Sequence, residues 1–392
     1  MRQQSYLNSA TKIIGSYTGE GPFAAYLKKY FAANKKYGSK DRKQIASCCY
    51  NYFRLGKAPA ASSIEEKILA GVFLCEHTPD EFLAFHKPGW NEMIDRSLAE
   101  KAAMTGIKTE AVFPWADELS DGIDTSSFAS SFFIQPDLFL RIRPGRKNTV
   151  LKKLDEAGIY YTMPAEGSIA LPNSTKIDSL LELDKEAVIQ DLSSQQVLNI
   201  LKSPVSHIPH AAPVWDCCAA SGGKSLLAYD ILDGKIALTV SDIRESILMN
   251  LRKRFTAAGI NKYHSLIADL QTSNPNPDSY RDQTSNVDLI ICDAPCTGSG
   301  TWSRTPEQLH FFKREMIKEY ADKQKQIVSH VIPHLSANGM LIYITCSVFR
   351  QENEEVVNFI KEKFHLRLLQ MELVRGYDKK ADSMFTAAFV KE

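Results

Sequence analysis

The chain has 392 residues, of which 44% are hydrophobic and 24% charged, proportions typical of a globular protein with two or three domains. Its first residues lack the apolar stretch of a signal peptide and no apolar run approaches membrane-spanning length, so we expect a cytoplasmic protein with no membrane partner. The eight cysteines show no paired CxxC spacing, which argues against a disulfide framework and against a structural zinc site, so we expect no metal.

The net charge of +1 conceals an asymmetry. Residues 1–60 carry eleven Lys and Arg against two acids, a net +9, whereas the remaining residues hold 36 bases and 44 acids, a net −8. Aromatic residues alternate with these bases: Tyr26, Tyr30, Phe31, Tyr37, Tyr50, Tyr52 and Phe53. Bases beside stackable rings suit RNA, although the same pattern fits helices with an apolar face and a solvated lysine face. We expect the rings to be mostly buried and the bases to be mostly functional.

Residues 1–125 are predicted to be helical, because apolar residues recur at helical spacing over 24–33, 39–54 and 63–77. Ser39 is the predicted cap of the second of these helices, and Thr78-Pro79-Asp80-Glu81 opens another. The pattern then changes to short strands at 132–134, 138–143, 160–163 and 168–171, with a helix at 148–157. We therefore predict an all-helical domain over 1–125 and a small α+β module over 130–185.

From about residue 186 onward predicted strands and helices alternate, which indicates a Rossmann-like, doubly wound α/β domain over 186–392. Two of its apolar runs, 287–292 and 340–344, are typical of buried parallel strands. Each is followed by a cysteine, Cys296 within Asp293-Ala-Pro-Cys-Thr-Gly-Ser-Gly and Cys346 within Tyr-Ile-Thr-Cys-Ser. Because the carboxyl ends of parallel strands face a shared crevice, we predict that both thiols act there, in a two-step cysteine chemistry.

A turn rich in small residues lies between a predicted strand at Val214 and a predicted helix from Leu226. Glycine lets a ligand approach the backbone, and the helix terminus offers free N–H groups, but the spacing fits neither GxGxxG nor a Walker loop. Asp242, Asp269 and Asp293 end the strands that follow, with Asp242 placed for ribose hydroxyls and Asp269 for an adenine edge. We predict a nucleoside cofactor, S-adenosyl-L-methionine. Its predicted binding residues are Cys218, Ala219, Ala220, Ser221, Gly222, Gly223, Lys224, Asp242, Asp269 and Asp293.

These motifs resemble those of the Sun (Fmu-like) RNA cytosine-5 methyltransferases, over about residues 130–392. The resemblance rests on residues 216–225, 293–300, 345–347 and 351–357, supported by 141–143, 190–195 and 385–391. Residues 41–54 resemble the NusB-like helical RNA-binding domain of bacterial members. Ser221 stands where the family usually has proline, and residues 301–307 replace a segment that is usually richer in bases, which leaves the contacts around the target base open.

The resemblance implies covalent catalysis, with Cys346 as the nucleophile and Cys296 as the residue that assists product release. Carbon 5 of cytosine is a weak nucleophile, and addition of a thiolate to carbon 6 activates it. Asp293, the third predicted catalytic residue, is placed to hydrogen-bond the ring nitrogen and exocyclic amine. We predict that Cys217, Cys218 and Cys292 are packing residues, with the Cys218 backbone also available to the cofactor.

The predicted partner is RNA, with ribosomal RNA favoured and transfer RNA possible, and the predicted oligomeric state is a monomer. Two alternatives remain open at this point. A DNA cytosine-5 methyltransferase has its nucleophile in a Pro-Cys motif, here Cys296, but the motif order and the Thr345-Cys346-Ser347 element oppose it. A non-catalytic RNA-binding factor is opposed by the presence of both cysteines and all three acids.

Overall fold

The computed structural model describes residues 2–58, 63–206, 208–271 and 284–392. Most of the predicted polar loop at 272–285 lies outside these residues. The chain divides into two compact units, which do not follow the chain order strictly. The first comprises Met1–Leu119, Ile123–Pro136 and Thr301–Arg314, and the second comprises Ser120–Gly122, Asp137–Gly300 and Glu315–Glu392. The three-domain boundaries drawn from the sequence stay predictions. No helix in the described part of the chain is long and apolar enough to cross a bilayer.

The described α-helices of the first unit are α1 (Arg2–Ser16), α2 (Phe23–Ala33), α3 (Ser39–Phe53), α4 (Ile64–Cys75), α5 (Glu81–His86), α6 (Pro88–Asn91), α7 (Leu98–Thr105), α8 (Thr125–Ser131) and, much later in the chain, α12 (Pro306–Phe311). Those of the second unit are α9 (Lys147–Glu156), α10 (Gly223–Ile231), α11 (Glu245–Ala258), α13 (Glu315–Val331) and α14 (Glu354–Phe364). The helices predicted at 24–33, 39–54, 63–77 and 148–157 form within one or two residues of their predicted bounds, whereas α10 begins three residues before the predicted Leu226.

Helices α3 and α4 pack closely because Gly71 has no side chain: a Cβ there would lie 2.3 Å from the backbone oxygen of Asn51. Asp80 caps α5 by accepting a hydrogen bond from the Leu83 N–H, as the sequence predicted for this turn. The prediction that Ser39 caps α3 was wrong. The cap is Gly38, whose N–H donates to the Asp41 carboxylate within the first turn, so Ser39 is already helical.

The strand predicted at 132–134 was also wrong, because these residues continue as turns after α8. Phe132 and Phe133 are buried among other rings rather than along a sheet. The Arg54 guanidinium donates to the carbonyl oxygens of Phe132 and Ile134, at 2.6 and 3.2 Å, and thereby satisfies groups that a neighbouring strand would otherwise pair. Arg54 is therefore a buried structural residue of the basic amino-terminal segment.

The prediction that the amino-terminal rings are mostly buried is confirmed. Four of the seven are buried and three are half-buried, within the core of the first unit. The basic side chains of the same segment, by contrast, are mostly exposed. Nine of the eleven bases in residues 1–60 are exposed: Arg2, Lys12, Lys28, Lys29, Lys35, Lys36, Lys40, Arg42 and Lys43. The first unit therefore presents a surface rich in positive charge over a core of aromatic residues.

The segment Thr301–Arg314 belongs to the first unit, although it follows the Cys296 motif in the chain. Trp302 is 1% exposed and packs against Trp115 and Phe312. Glu307 is buried and accepts a hydrogen bond from the Phe23 N–H. The residues that depart from the family pattern at 301–307 therefore serve the packing of the helical unit.

The second unit contains two sheets, whose strands are β1 (Leu138–Ile142), β2 (Thr162–Ala165), β3 (Ser168–Leu171), β4 (Ala187–Ile189), β5 (Ala212–Asp216), β6 (Ile236–Asp242), β7 (His264–Ile267), β8 (Val287–Asp293), β9 (Leu335–Thr345), β10 (Arg367–Val374) and β11 (Met384–Val390). Strands β1–β4 form a small antiparallel sheet in the order β2-β3-β1-β4. The others form a seven-stranded sheet in the order β10-β11-β9-β8-β5-β6-β7.

Strands β5 to β9 are mutually parallel, and β11 runs antiparallel to its two neighbours, β9 and β10. Buried side chains cover both faces of this sheet, as expected for strands that are apolar throughout. The topology is the Rossmann-like, doubly wound arrangement predicted from the sequence. It brings the carboxyl ends of five successive strands to one edge, where a crevice forms.

The family-like residues 141–143 and 190 lie in the small sheet and contact the helix that follows the small-residue turn. Arg141 and Arg143 both form ion pairs with Asp230 of α10, at 2.5 and 2.7 Å. Arg141 also donates to Gln190, and the Gln190 amide reaches the Gly223 carbonyl at 3.5 Å. The two ion pairs hold the carboxyl-terminal end of α10, whereas the Gln190 contact lies at its amino-terminal end, next to the turn.

Candidate active site

The sulfur atoms of Cys296 and Cys346 lie 3.2 Å apart. Cys296 follows β8 and Cys346 follows β9, and these strands are parallel neighbours with Asp293 paired to Ile344. The Ala294 N–H donates to the Ile344 carbonyl and the Gly300 N–H donates to the Cys346 carbonyl, each at 2.9 Å, so the two loops stay paired beyond the strands. The structure therefore brings the two thiols together as the sequence predicted.

The two sulfurs differ in their surroundings. The hydrogen bond with Cys346, together with burial, raises the pKa of the Cys296 thiol well above its usual value. Cys296 therefore keeps its proton, and that proton is shared with the sulfur of Cys346.

Asp293 ends β8 at the mouth of the crevice and forms an ion pair with Lys224, with Nζ 2.9 Å from Oδ2. Burial lowers the pKa of Lys224, but its attraction to Asp293 outweighs burial and the net shift is upward, so the ammonium stays charged. Lys224, at the start of α10, thus neutralises the charge of Asp293, the acid predicted to bind the target base. Both side chains are largely buried, at 16% and 24% exposed, which strengthens the pair relative to one in water.

The turn between β5 and α10 takes the conformation that its small residues permit. Gly222 has φ +83°, in the left-handed region that favours glycine, and it precedes the first residue of α10. Ala220 also has a positive φ, of +46°, and its N–H donates to the Asp242 carboxylate at 3.0 Å. Ser221, where the family usually has proline, accepts from Arg254 through its carbonyl and hydroxyl oxygens. The turn is therefore held to β6 and α11 by hydrogen bonds.

Asp242 ends β6 and is almost fully buried. Oδ2 accepts from the Ala220 N–H, and Oδ1 accepts from the backbone and side chain of Arg244 at 2.9 and 3.1 Å. These donors hold the carboxylate in place at the edge of the crevice. Ionised carboxylates accept up to about four hydrogen bonds, so Asp242 can still accept from ligand hydroxyls.

A cavity of about 430 Å³ opens at the carboxyl ends of the parallel strands, within the range of small-molecule sites. Its lining includes six of the predicted site residues: Cys218, Ala220, Asp242, Asp293, Cys296 and Cys346. Ala268, Leu270 and Gln271 line it around Asp269, whose own carboxylate accepts from the Gln271 N–H. Ala219, Ser221, Gly222, Gly223 and Lys224 build the turn and the start of α10 beside it.

Sequence reasoning missed two contributions to this site. The first is α13, which supplies Tyr320, Lys323 and Ile327 to the cavity wall. The second is Glu352, which is fully buried and accepts hydrogen bonds from Thr297 and Ser347, the residues that follow the two cysteines. The motif at 351–357 was a signal for Glu352, whereas nothing in the pattern of α13 distinguishes a lining residue from any other partly buried one.

Cys217, Cys218 and Cys292 were not predicted to act together, yet their sulfur atoms all lie within 4.8 Å of one another. Cys217 and Cys292 are buried in the apolar core, as predicted for packing residues, and Cys218 lines the cavity. Three thiols are a donor set that soft metals accept, although structural zinc sites take four ligands. The absence of a metal stays a prediction.

Comparison with known proteins agrees with this geometry. Residues 207–389 match the family model described as 16S rRNA methyltransferase RsmB/F. The chain is 29% identical over 222 residues to the probable ribosomal RNA small subunit methyltransferase B of Bacillus subtilis, covering 54% of this chain and 47% of that protein. It is 26% identical to the corresponding Photorhabdus laumondii protein, covering 60% and 53%. The chain thus spans about half the length of these curated relatives.

Residues 207–389 are therefore similar to this family, the Sun family. Its members' fold is also found in a Pyrococcus horikoshii methyltransferase homolog, which superposes with a TM-score of 0.58 at 20% identity over 71% of this chain and 95% of that one. The matching family model is that of a methyltransferase, a class of enzyme whose methyl donor is S-adenosyl-L-methionine. The residues present fit that cofactor, since an anchored carboxylate and a cavity of suitable volume lie beside the thiol pair.

Proposed function

We propose that the protein is an RNA cytosine-5 methyltransferase that acts on small-subunit ribosomal RNA in the cytoplasm. The observation that supports this most strongly is the pair of sulfurs 3.2 Å apart beside the cavity of a methyltransferase domain. Methyl transfer to an oxygen or an exocyclic amine needs no covalent adduct, whereas carbon 5 of cytosine needs a nucleophile at carbon 6. The choice of RNA follows the relatives, which are named as ribosomal RNA small subunit methyltransferases.

Cys346 is the proposed nucleophile. Its sulfur forms a bond to carbon 6 of the target cytosine, and the electron density that moves into the ring makes carbon 5 nucleophilic while the ring nitrogen takes up a proton. Asp293 accepts hydrogen bonds from that protonated nitrogen and from the exocyclic amine. The Lys224 ammonium forms an ion pair with the Asp293 carboxylate and holds it oriented for this role. S-adenosyl-L-methionine supplies the methyl group that carbon 5 attacks.

Release requires that the carbon 5 proton passes to solvent water, that the ring nitrogen gives up the proton it took up during addition, and that the bond between carbon 6 and sulfur breaks, which restores the ring double bond. The sulfur of Cys346 departs with the electron pair of that bond. The Cys296 thiol lies 3.2 Å away and retains its proton, so it can donate a hydrogen bond to the departing thiolate and stabilise it. The Ala268–Gln271 side of the cavity, with the adjacent Asp242, is the proposed place of the cofactor nucleoside.

The test is methyl transfer from tritium-labelled S-adenosyl-L-methionine to purified small-subunit ribosomal RNA, transfer RNA and DNA in parallel, with the product nucleoside identified by mass spectrometry. We expect 5-methylcytidine in the ribosomal RNA, and none with the Cys346→Ala protein. Labelling of transfer RNA alone would replace the proposed substrate, and labelling of DNA would support the alternative enzyme class. Cofactor binding without transfer to any of the three would indicate a non-catalytic RNA-binding factor.

A further inference from the structure

A single buried carboxylate connects the two loops that carry the cysteines. Glu352 is 0% exposed, and its Oε1 accepts from the hydroxyls of Thr297 and Ser347 at 2.6 and 2.5 Å. Oε2 accepts from the Thr297 N–H and from the Gln324 amide, at 2.8 and 3.0 Å. Thr297 directly follows Cys296, and Ser347 directly follows Cys346.

The hydroxyls around Glu352 also contact each other. Ser299 lies within 3.2 Å of the hydroxyl oxygens of both Thr297 and Ser347, and it accepts from the Val348 N–H. Its neighbour Gly300 tolerates no side chain, since a Cβ there would lie 2.0 Å from the Ser383 carbonyl oxygen. Both loops are therefore packed tightly beneath the sulfurs, and movement at Glu352 would reach both cysteines.

Burying the Glu352 carboxylate in the protein interior costs free energy. Burial raises the pKa of its carboxyl group, because the charged form loses hydration, and the hydrogen bonds it accepts act in the opposite direction. A purely structural contact between two loops could be made by apolar side chains at less cost. A carboxylate, by contrast, accepts from several donors at once and sets their spacing, so the feature that it fixes is the distance between the two loops.

We propose that Glu352 is a positioning residue that sets the separation of the Cys296 and Cys346 sulfurs by binding the residue after each cysteine. Its consequence for methyl transfer rests on the proposed function, whereas the separation itself does not. When Glu352 is removed, the two loops lose their shared hydrogen-bond acceptor. The release step should then be slower, because the Cys296 thiol no longer faces the departing sulfur of Cys346.

The test measures how readily the two thiols form a disulfide, which needs neither RNA nor cofactor. Diamide accepts two electrons and two protons from a thiol pair, so the S–H bonds of Cys296 and Cys346 break, an S–S bond forms and the oxidant becomes a hydrazine. The full-length protein is oxidised, quenched at intervals and digested, and the Cys296–Cys346 peptide pair is quantified by mass spectrometry.

We expect Glu352→Ala to slow this oxidation by about tenfold or more, since reactions between held groups are that sensitive to misplacement. Glu352→Gln should stay much closer to the unsubstituted protein, because its amide oxygen can face the Thr297 and Gln324 donors while the hydroxyls of Thr297 and Ser347 rotate to accept from its NH₂ group. The matched control is Glu186→Ala, which removes another buried glutamate, one that directly precedes β4 and accepts from Lys153 of α9. It should leave the oxidation rate unchanged.

An unchanged oxidation rate in folded Glu352→Ala protein would overturn the proposal, as would equal slowing in the Glu186→Ala control. If Glu352→Ala does not fold, Ser347→Ala decides, because it removes the direct bond between the Cys346 loop and the carboxylate. Slower oxidation in that variant supports the proposal, and an unchanged rate contradicts it. In the methylation assay we expect Glu352→Ala to accumulate covalent enzyme–RNA adduct. A wild-type protein that oxidises rapidly but methylates no RNA would refute the proposed function and leave the positioning role intact.

Discussion

The Cys296 sulfur lies 3.2 Å from the Cys346 sulfur, close enough that the proton of one is shared with the other. The two residues are 50 positions apart in the chain and meet because their strands are parallel neighbours. This arrangement gives the two thiols separable roles in a covalent reaction, one forming the bond to the base and the other acting when that bond breaks.

The two cysteine substitutions should therefore have different effects on the reaction. Cys346→Ala should abolish turnover and leave cofactor binding nearly unchanged, because the nucleophile is lost while the cavity remains. Cys296→Ala should form a covalent enzyme–RNA adduct that survives a denaturing gel, since attack proceeds and release stalls. Cys75→Ala, which changes a cysteine of the helical unit, is the control. An adduct trapped by Cys346→Ala and absent from Cys296→Ala would reverse the assignment and support a nucleophile in the Pro-Cys motif.

Asp242 should be required for cofactor affinity. Asp242→Asn removes the charge but keeps the shape, and it should weaken S-adenosyl-L-methionine binding by about 1.5–3 kcal/mol, the range for hydrogen bonds to a charged group. Affinity for RNA should barely change. Isothermal titration calorimetry measures the first and a filter-binding assay the second, with exposed Asp378→Asn as the control. Unaltered cofactor affinity in the Asp242 variant would remove this residue from the binding site.

The sequence predicted the parts of this protein that depend on local pattern. The parallel strands formed as predicted, and Asp242, Asp293, Cys296 and Cys346 at their ends line one cavity, because apolar runs and strand-end residues are visible in a single sequence. Errors arose where a distant residue decides the local structure. The Arg54 guanidinium satisfies carbonyls of a segment predicted to be a strand, and no local rule could have shown it.

The same limit explains why the cavity wall from α13 and the contacts of Glu352 were missed. A glutamate within a polar stretch is ordinarily solvated, and only the tertiary fold shows that this one is buried beneath two loops. Likewise, Trp302 and Glu307 follow the Cys296 motif directly, but they pack in the helical unit with residues nearly two hundred or more positions away. Proximity in the chain to a catalytic motif did not predict their role.

Asp216, at the end of β5, should make stability depend on pH. It is 0% exposed, and burial raises the pKa of its carboxyl group to about 7 from a usual value of 3.8. Between about pH 4 and pH 7 the folded protein keeps a proton that the unfolded chain has released, so the free energy of unfolding falls as pH rises through this window, by up to about 1.4 kcal/mol per pH unit. Below pH 4 both states are protonated and this contribution is fully present.

Asp216→Asn cannot titrate, so the difference in free energy of unfolding between this variant and the unsubstituted protein should shift in favour of the variant as pH rises from 4 to 7. Urea unfolding at intervals of one pH unit measures it. Asp233→Asn, whose side chain is 78% exposed, is the control and should track the unsubstituted protein. A pH-independent difference for Asp216→Asn would show that the carboxyl group titrates at its ordinary value when folded.

The last prediction concerns the exposed bases of the first unit. Because residues 1–60 carry +9 and the rest of the chain −8, RNA affinity should come largely from this surface. Changing Lys35, Lys36, Lys40 and Lys43 together to Gln should weaken RNA binding and reduce its dependence on salt, since each phosphate neutralised contributes roughly 0.7 log units to the slope on single strands. All four side chains are exposed, so the unit should stay folded.

Arg42 is left in place because its guanidinium donates to the Tyr37 carbonyl and supports the loop before α3. Substitution is also a cleaner test than deletion of the amino-terminal residues, which would strip the buried faces of Trp302 and Leu309. The control changes four exposed lysines of the second unit, Lys152, Lys176, Lys235 and Lys361, to Gln. Fluorescence anisotropy against salt concentration compares the two variants. If the salt dependence of RNA affinity falls equally in both variants, only the total charge matters. If it is unchanged in the variant of the first unit, RNA binds mainly to the second unit.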